Sequence, residues 1–301
     1  MDEVLGKGSP SAPGLGVWLQ GARPRTLVAS VCPVLVGTAV AASQGRLLVW
    51  RALTALVVSL AIQVGVNYAN DYSDGVRGSD TPARLGPVRL TASGLARPAQ
   101  VRRAAAIALG VAAVAGLALA IAVDLRLLLV GAVCIPAAVL YTGGPRPYGY
   151  AGFGELAVLL FFGLVATTGT AYVQLERVSA LAVAASFPVG LAAVALLLAN
   201  NIRDLDGDRA AGKRTLVVRL GRGRARALFV LTVAAVFVVV AFIGLVRPPA
   251  LAAMAALPLA VPPVRLVRRR EDGPGLIAAL SATARLQLAV CALLAVGLWL
   301  S

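Results

Sequence analysis

Long apolar stretches recur along almost the whole chain, and no other feature constrains the fold as strongly. They fall at roughly 26–43, 49–70, 102–123, 127–142, 154–175, 179–201, 225–246, 249–267 and 275–300. A helix rises about 1.5 Å per residue, so about 20 residues cross the ~30 Å hydrocarbon layer of a bilayer. Inside such a layer every backbone polar group must be paired within the protein, which selects helices for segments of this length. Only 14% of the 301 residues are charged, well under the roughly 25% of soluble domains. The expectation is an all-α integral membrane protein of about nine transmembrane helices, forming a single domain over 18–301. The fourth and eighth stretches are short or broken by prolines (Pro136; Pro258, Pro262 and Pro263). Residues 1–17, rich in Gly, Ser and Pro, read as a flexible tail without the basic-then-apolar plan of a signal peptide.

The net charge of +15 would suggest nucleic acid in a soluble protein. In a membrane protein it is distributed by the positive-inside rule. With the N-terminus inside, Arg46, Arg51, Arg126, Arg177 and Arg247 lie outside. Arg285 lies within the last stretch, and the other lysines and arginines fall inside. The expected topology is therefore multi-pass in the cytoplasmic (inner) membrane, N-terminus in and C-terminus out. Cys32, Cys134 and Cys291 all lie within apolar runs and match no metal spacing, so they read as small buried side chains. The chain has no histidine. That excludes Ser-His triads and His-ligated metals, and leaves hard, oxygen-bound Mg²⁺ or Ca²⁺ as the metals to consider.

The acids are few and unevenly placed. Of 13, six lie in two clusters: Asp71, Asp74 and Asp80 in NYANDYSDGVRGSD, and Asp204, Asp206 and Asp208 in NNIRDLDGD. Each cluster ends an apolar stretch, and the parity of the helices places both on the inner side. Both carry Asn-x-x-x-Asp, at Asn67–Asp71 and Asn200–Asp204. Positions three and four apart share a helix face. Gln63, Asn67, Asp71 and Asp74 form one polar stripe, and Asn200, Asp204 and Asp208 another. Carboxylates so close repel unless a cation lies between them, and the partly negative C-terminal end of a helix favours that cation. The loops that come next carry Arg77, Arg84 and Arg89 after the first cluster, and Arg209, Lys213 and Arg214 after the second. Metal together with Arg and Lys makes a diphosphate clamp.

Four segments resemble the UbiA superfamily of membrane prenyltransferases, especially its dihydroxynaphthoate branch. They are WLQGARPRTLVASVCPVLVGT (18–38), NYANDYSDGVRGSD (67–80), YTGGPRPYGYAGFGE (141–155) and NNIRDLDGDRAAGKRTLVVRLG (200–221). The resemblance implies nine helices around a central cavity. It implies transfer of a polyprenyl group from its diphosphate to 1,4-dihydroxy-2-naphthoate with loss of CO₂, giving demethylmenaquinol for menaquinone synthesis. It implies Mg²⁺, two ions bridging the diphosphate, held by Asn67, Asp71 and Asp74 and by Asn200, Asp204 and Asp208. Asp71, Asp204 and Tyr141 are then the catalytic candidates. Arg23, Arg25, Arg77, Arg84, Arg89, Arg146, Lys213 and Arg214 are the substrate-binding ones, with Arg23 and Arg25 aimed at the acceptor's carboxylate. Many relatives carry an acid where Gly78 stands, which sets Asp80 apart. Many also carry a lysine where Pro145 stands, with Arg146 next to it as its substitute.

Glu155 reads as a helix-starting acid. Thr167, Thr168, Tyr172 and Gln174 read as packing polar residues. Three rivals stand beside this reading. One is a UbiA-type enzyme acting on another aromatic such as 4-hydroxybenzoate. A second is a CDP-alcohol phosphatidyltransferase, whose pattern DYSDG begins and Gly78-Ser79 breaks. The third is a divalent-cation transporter, which places its carboxylates at mid-membrane.

Overall fold

A computed structural model describes residues 13–78 and 88–301. Asp80 and Arg84 therefore lie outside the described residues. All regular structure among those described is helical. The elements are α1 (Leu15–Ala22), α2 (Val28–Ser43), α3 (Val49–Val76), α4 (Pro98–Ala122), α5 (Leu127–Leu140), α6 (Gly154–Val158), α7 (Ala166–Leu175), α8 (Ala180–Ala210), α9 (Leu216–Val246), α10 (Leu257–Arg269) and α11 (Gly273–Trp299). A π-helical stretch, Leu159–Val165, joins α6 to α7, and a 3₁₀ stretch, Pro248–Ala256, precedes α10.

Among the described residues seven helical spans are long and apolar enough to cross a membrane: α3, α4, α6 through α7, α8, α9, the 3₁₀ stretch with α10, and α11. An eighth is a pair bent by 54°, with α1 and a 3₁₀ turn on one side of the break and α2 on the other. The shorter α5 is the ninth apolar segment. Each predicted stretch thus contains a helix, although α5 falls below the length of a full span. This is a multi-pass membrane protein. α1 begins at Leu15 rather than after residue 17, so the end of the expected tail is already helical.

The bend before α2 has a local cause. Pro24 lacks the N–H that a continuing helix needs. Arg23 takes the left-handed conformation (φ 53°) and its N–H closes on Gln20 O. A second break inside an apolar run is the π-helix. Gly163 there faces Gly190 of α8, and a Cβ on Gly163 would stand 2.8 Å from Gly190 Cα. Two glycines let the backbones touch, as small residues do between membrane helices. α8 is the central pillar, with 67% of its apolar window buried against 22% for α3 and for α4, which form an outer wall.

Length explains where the acids sit. α3 has 28 residues and α8 has 31, about 42 and 46 Å at 1.5 Å per residue. Both exceed the ~30 Å apolar layer by two turns or more. Their last turns carry Asp71 and Asp74, and Asp204 and Asp208, beyond the oily part of each helix.

Candidate active site

The helices line a cavity of about 1200 Å³. Its deeper wall is apolar, including Val58, Ile62, Ile135, Phe161, Phe162 and Leu197. At the acidic end, Asn70 and Asp74 of α3 and Asn200, Asp204 and Asp208 of α8 face into one space.

Asp74 is the most connected of these. It is 2% exposed. Tyr150 Oη donates a hydrogen bond to one carboxylate oxygen. Lys213 Nζ lies 3.4 Å from that oxygen, and Arg89 Nη2 lies 3.4 Å from the other. Lys213 also sits 3.7 Å from Asp208 and over the Tyr150 ring, 4.6 Å from its centroid. Three loops therefore meet at one carboxylate. Burial, then the Asp74 charge, push the Tyr150 hydroxyl well above its ordinary pKa, so it stays a donor. On α8, Arg203 forks onto Asp204 with two bonds of 2.7 Å and reaches Asn200 Oδ1 at 2.8 Å. That bidentate geometry fixes both acceptors.

The structure corrects the first stripe. Asp71 is fully buried and turned out of the cavity, where its two oxygens accept from the backbone N–H groups of Leu90 and Thr91 at 2.8 and 2.9 Å. It anchors the segment that delivers Arg89, and its expected metal and catalytic roles do not fit this placement. Asn67 lines the cavity, but its Nδ2 donates to Ala22 O (2.8 Å) and Thr26 Oγ1 (3.0 Å), and its Oδ1 accepts from Gln63 (3.1 Å). It ties α3 to the turn after α1. The cavity-lining amide four residues before Asp74 is instead Asn70, whose Oδ1 accepts from Thr142 Oγ1 at 2.6 Å. Asn70 stands four residues before Asp74, the same spacing as Asn200 and Asp204, so the pattern was present one register away.

The basic candidates divide. Arg23, Arg25, Arg89 and Lys213 line the cavity, as does Tyr141. Arg77 does not. It caps α3, donates to Thr142 O and Gly144 O, and lies 5.8 Å from the Tyr150 ring centroid. It staples the 141–153 loop instead of facing substrate. Arg146 and Arg214 are exposed and outside the lining; Arg214 N–H closes the site by donating to Tyr150 O at 2.9 Å. Sequence reasoning missed Asn70, Tyr150 and Arg203. Glu155 is buried in the first turn of α6 and accepts from Asn201 at 3.0 Å, so it is also an inter-helix tie. Thr167 is buried, Gln174 pairs with the backbone of Leu48, and Tyr172 donates to Asp124.

Among the described residues no three acids, cysteines or histidines gather closely enough to hold a metal alone. The donor set nonetheless fits a hard cation. It has carboxylate and amide oxygens on two helices, no nitrogen or sulfur ligand, and room for a ligand to complete the shell.

The UbiA prenyltransferase family profile matches residues 30–283. The chain belongs to this family. A 1,4-dihydroxy-2-naphthoate octaprenyltransferase of Mycobacterium tuberculosis is 47% identical over 266 residues, covering 88% of this chain and 91% of its own. That of Escherichia coli is 36% identical, covering 94% and 95%. A UbiA homologue from Archaeoglobus fulgidus, solved with DMAPP and Mg²⁺, superposes with a TM-score of 0.64 at 16% identity, covering 93% of this chain and 99% of its own. The UbiA fold and the prenyltransferase membership agree with the acid-tipped α3 and α8.

Proposed function

We propose that this UbiA enzyme transfers a polyprenyl group from polyprenyl diphosphate to 1,4-dihydroxy-2-naphthoate, with decarboxylation, giving demethylmenaquinol in menaquinone biosynthesis. One observation carries the reading: two acid-tipped helices, α3 and α8, share the polar end of a large apolar cavity. The curated relatives supply the acceptor and the structural neighbours the cation.

Asn70, Asp74, Asn200, Asp204 and Asp208 would hold the Mg²⁺, two ions in this proposal, whose charge offsets that of the departing diphosphate. Lys213 and Arg89 donate to diphosphate oxygens, and Arg203 and Tyr150 keep the carboxylates oriented. The allylic C–O bond breaks in a pocket walled by Phe161, Phe162 and Tyr141, whose ring faces and exclusion of water suit a carbocation. The ring carbon bearing the acceptor's carboxylate attacks the allylic carbon and forms the C–C bond; the bond to the carboxylate then breaks, CO₂ leaves, and the electron pair of that bond restores the aromatic ring. Arg23 and Arg25 hold that carboxylate beforehand. In this reading the excess of basic residues in the loops at this end supports a cytoplasmic active site in the inner membrane, with the C-terminus outside.

Membranes bearing the protein, given dihydroxynaphthoate, a polyprenyl diphosphate and Mg²⁺, should form the prenylated naphthoquinol. Product that never appears, or that survives EDTA or Asp204→Ala, sinks the assignment. Supplying 4-hydroxybenzoate instead tests the neighbouring acceptor class.

A further inference from the structure

Arg285 is the one basic residue of α11, and it sits about 18 Å along that helix from Gly273 at 1.5 Å per residue. An arginine at that depth in an apolar segment is costly and is retained where it faces a cavity or a partner. Arg285 lines the cavity, on the α11 face that also presents Ser281, Ala284 and Leu288. No described residue is ion-paired or hydrogen-bonded to it. The opposite face of α11, with Leu286, Gln287, Val290 and Cys291, is buried.

The 3₁₀ turn Pro24–Thr26 packs on α11, and Arg25 within it lines the same cavity. Among the described residues the cavity lining thus holds five cations, Arg23, Arg25, Arg89, Lys213 and Arg285, against three carboxylates, Asp74, Asp204 and Asp208. The carboxylates, Lys213 and Arg89 cluster at the acidic end of α3 and α8. Asn67 bonds Thr26, and Asn67 lies seven residues, about 10 Å along α3, before Asp74. A ligand group held at the Arg25 turn is therefore distinct from the diphosphate at Asp74. We propose that Arg285, together with Arg25, forms the carboxylate-binding end of the aromatic acceptor's subsite. This rests on the acceptor reading above. A planar guanidinium suits both parts of such a ligand, with its fork for the carboxylate and its face for the ring.

The test is equilibrium binding of the fluorescent probe 1-hydroxy-2-naphthoate to purified protein without donor, with 1-naphthol as the carboxylate-free control. Arg285→Gln should weaken the naphthoate about tenfold to a hundredfold, as loss of a charge-assisted pair does, and leave naphthol unchanged. Arg285→Lys should fall between. In turnover, Arg285→Gln should raise the acceptor KM and leave the donor KM unchanged. Equal naphthoate affinity in wild type and Arg285→Gln, or no binding to wild type, overturns the proposal. If Arg285→Gln is not recovered folded, Arg285→Lys decides, and wild-type affinity there overturns it too. If naphthoate binding depends on Arg285 but dihydroxynaphthoate is never prenylated, the functional reading fails and the carboxylate subsite stands.

Discussion

Asp71 and Asp74 lie within one turn of α3, yet replacing them should have distinct kinetic signatures. Asp71→Asn leaves one amide oxygen to accept from either Leu90 or Thr91, and turns an NH₂ group toward the other N–H. A hydrogen bond to a charged group contributes about 1.5–3 kcal/mol, and a buried donor without an acceptor costs a similar amount. The loss should be about 2–3 kcal/mol, which lowers Tm by roughly 5 °C or more for a domain of this size. Activity should fall with it, through a higher donor KM, because the anchored segment carries Arg89 to 3.4 Å from Asp74. Asp74→Asn removes no backbone anchor. Its Tm should fall as well, by roughly 5 °C or more, because the buried charge facing Tyr150, Lys213 and Arg89 is lost, while kcat falls a hundredfold or more and the Mg²⁺ requirement shifts upward. The two variants are compared by thermal melting in detergent and by kcat and KM over a Mg²⁺ titration. An Asp71→Asn protein that melts like wild type but loses its Mg²⁺ response would show that Asp71 is a ligand and that the loop-anchor argument is wrong.

Three further outcomes are expected. Lys213→Gln should raise the donor KM about tenfold or more and leave the acceptor KM unchanged, since Lys213 lies 3.4 and 3.7 Å from Asp74 and Asp208. Gly163→Ala should cost about 1–3 kcal/mol by overpacking, because its Cβ meets Gly190 Cα at 2.8 Å; Gly110→Ala, with nothing within 4 Å, is the neutral control in the same melting assay. Burial pushes the Tyr148 hydroxyl up to about 12. Its contribution is fully present below the unfolded value of about 10 and is lost as pH rises through the folded one. Melts between pH 8 and roughly 11.5 should therefore fall more steeply above about 10 for wild type than for Tyr148→Phe.

The helices were legible because bilayer thickness imposes a length on apolar runs, and each predicted run contains one. The site was legible to within a helix face. Two Asn-x-x-x-Asp registers, Asn67–Asp71 and Asn70–Asp74, differ by one turn position. Only the return of the chain at Leu90 and Thr91 decides which one meets the cavity. The same holds for the arginines. Arg77 and Arg89 belong to one basic loop, and burial of Leu90 carries one inward while the other staples Thr142 and Gly144. Arg203 looked like a positive-inside charge because nothing local shows that it folds back onto Asp204. Arg285 was visible as an oddity in an apolar run, but its purpose depends on a turn some 260 residues away in sequence, a separation read from Arg25 and Arg285.

The π-helical stretch sets how the two ends of one span relate. A single π turn acts as a one-residue insertion in an α-helix, so it rotates the downstream half of the span by about 100°. At one end Glu155 meets Asn201; at the other Gln174 grips both backbone groups of Leu48. A straight α-helix could dock one of these ends but not both. The stretch Leu159–Val165 therefore works as a phase shifter. It uncouples the orientation of the span's two ends, and it presents the adjacent Phe161 and Phe162 together to the cavity.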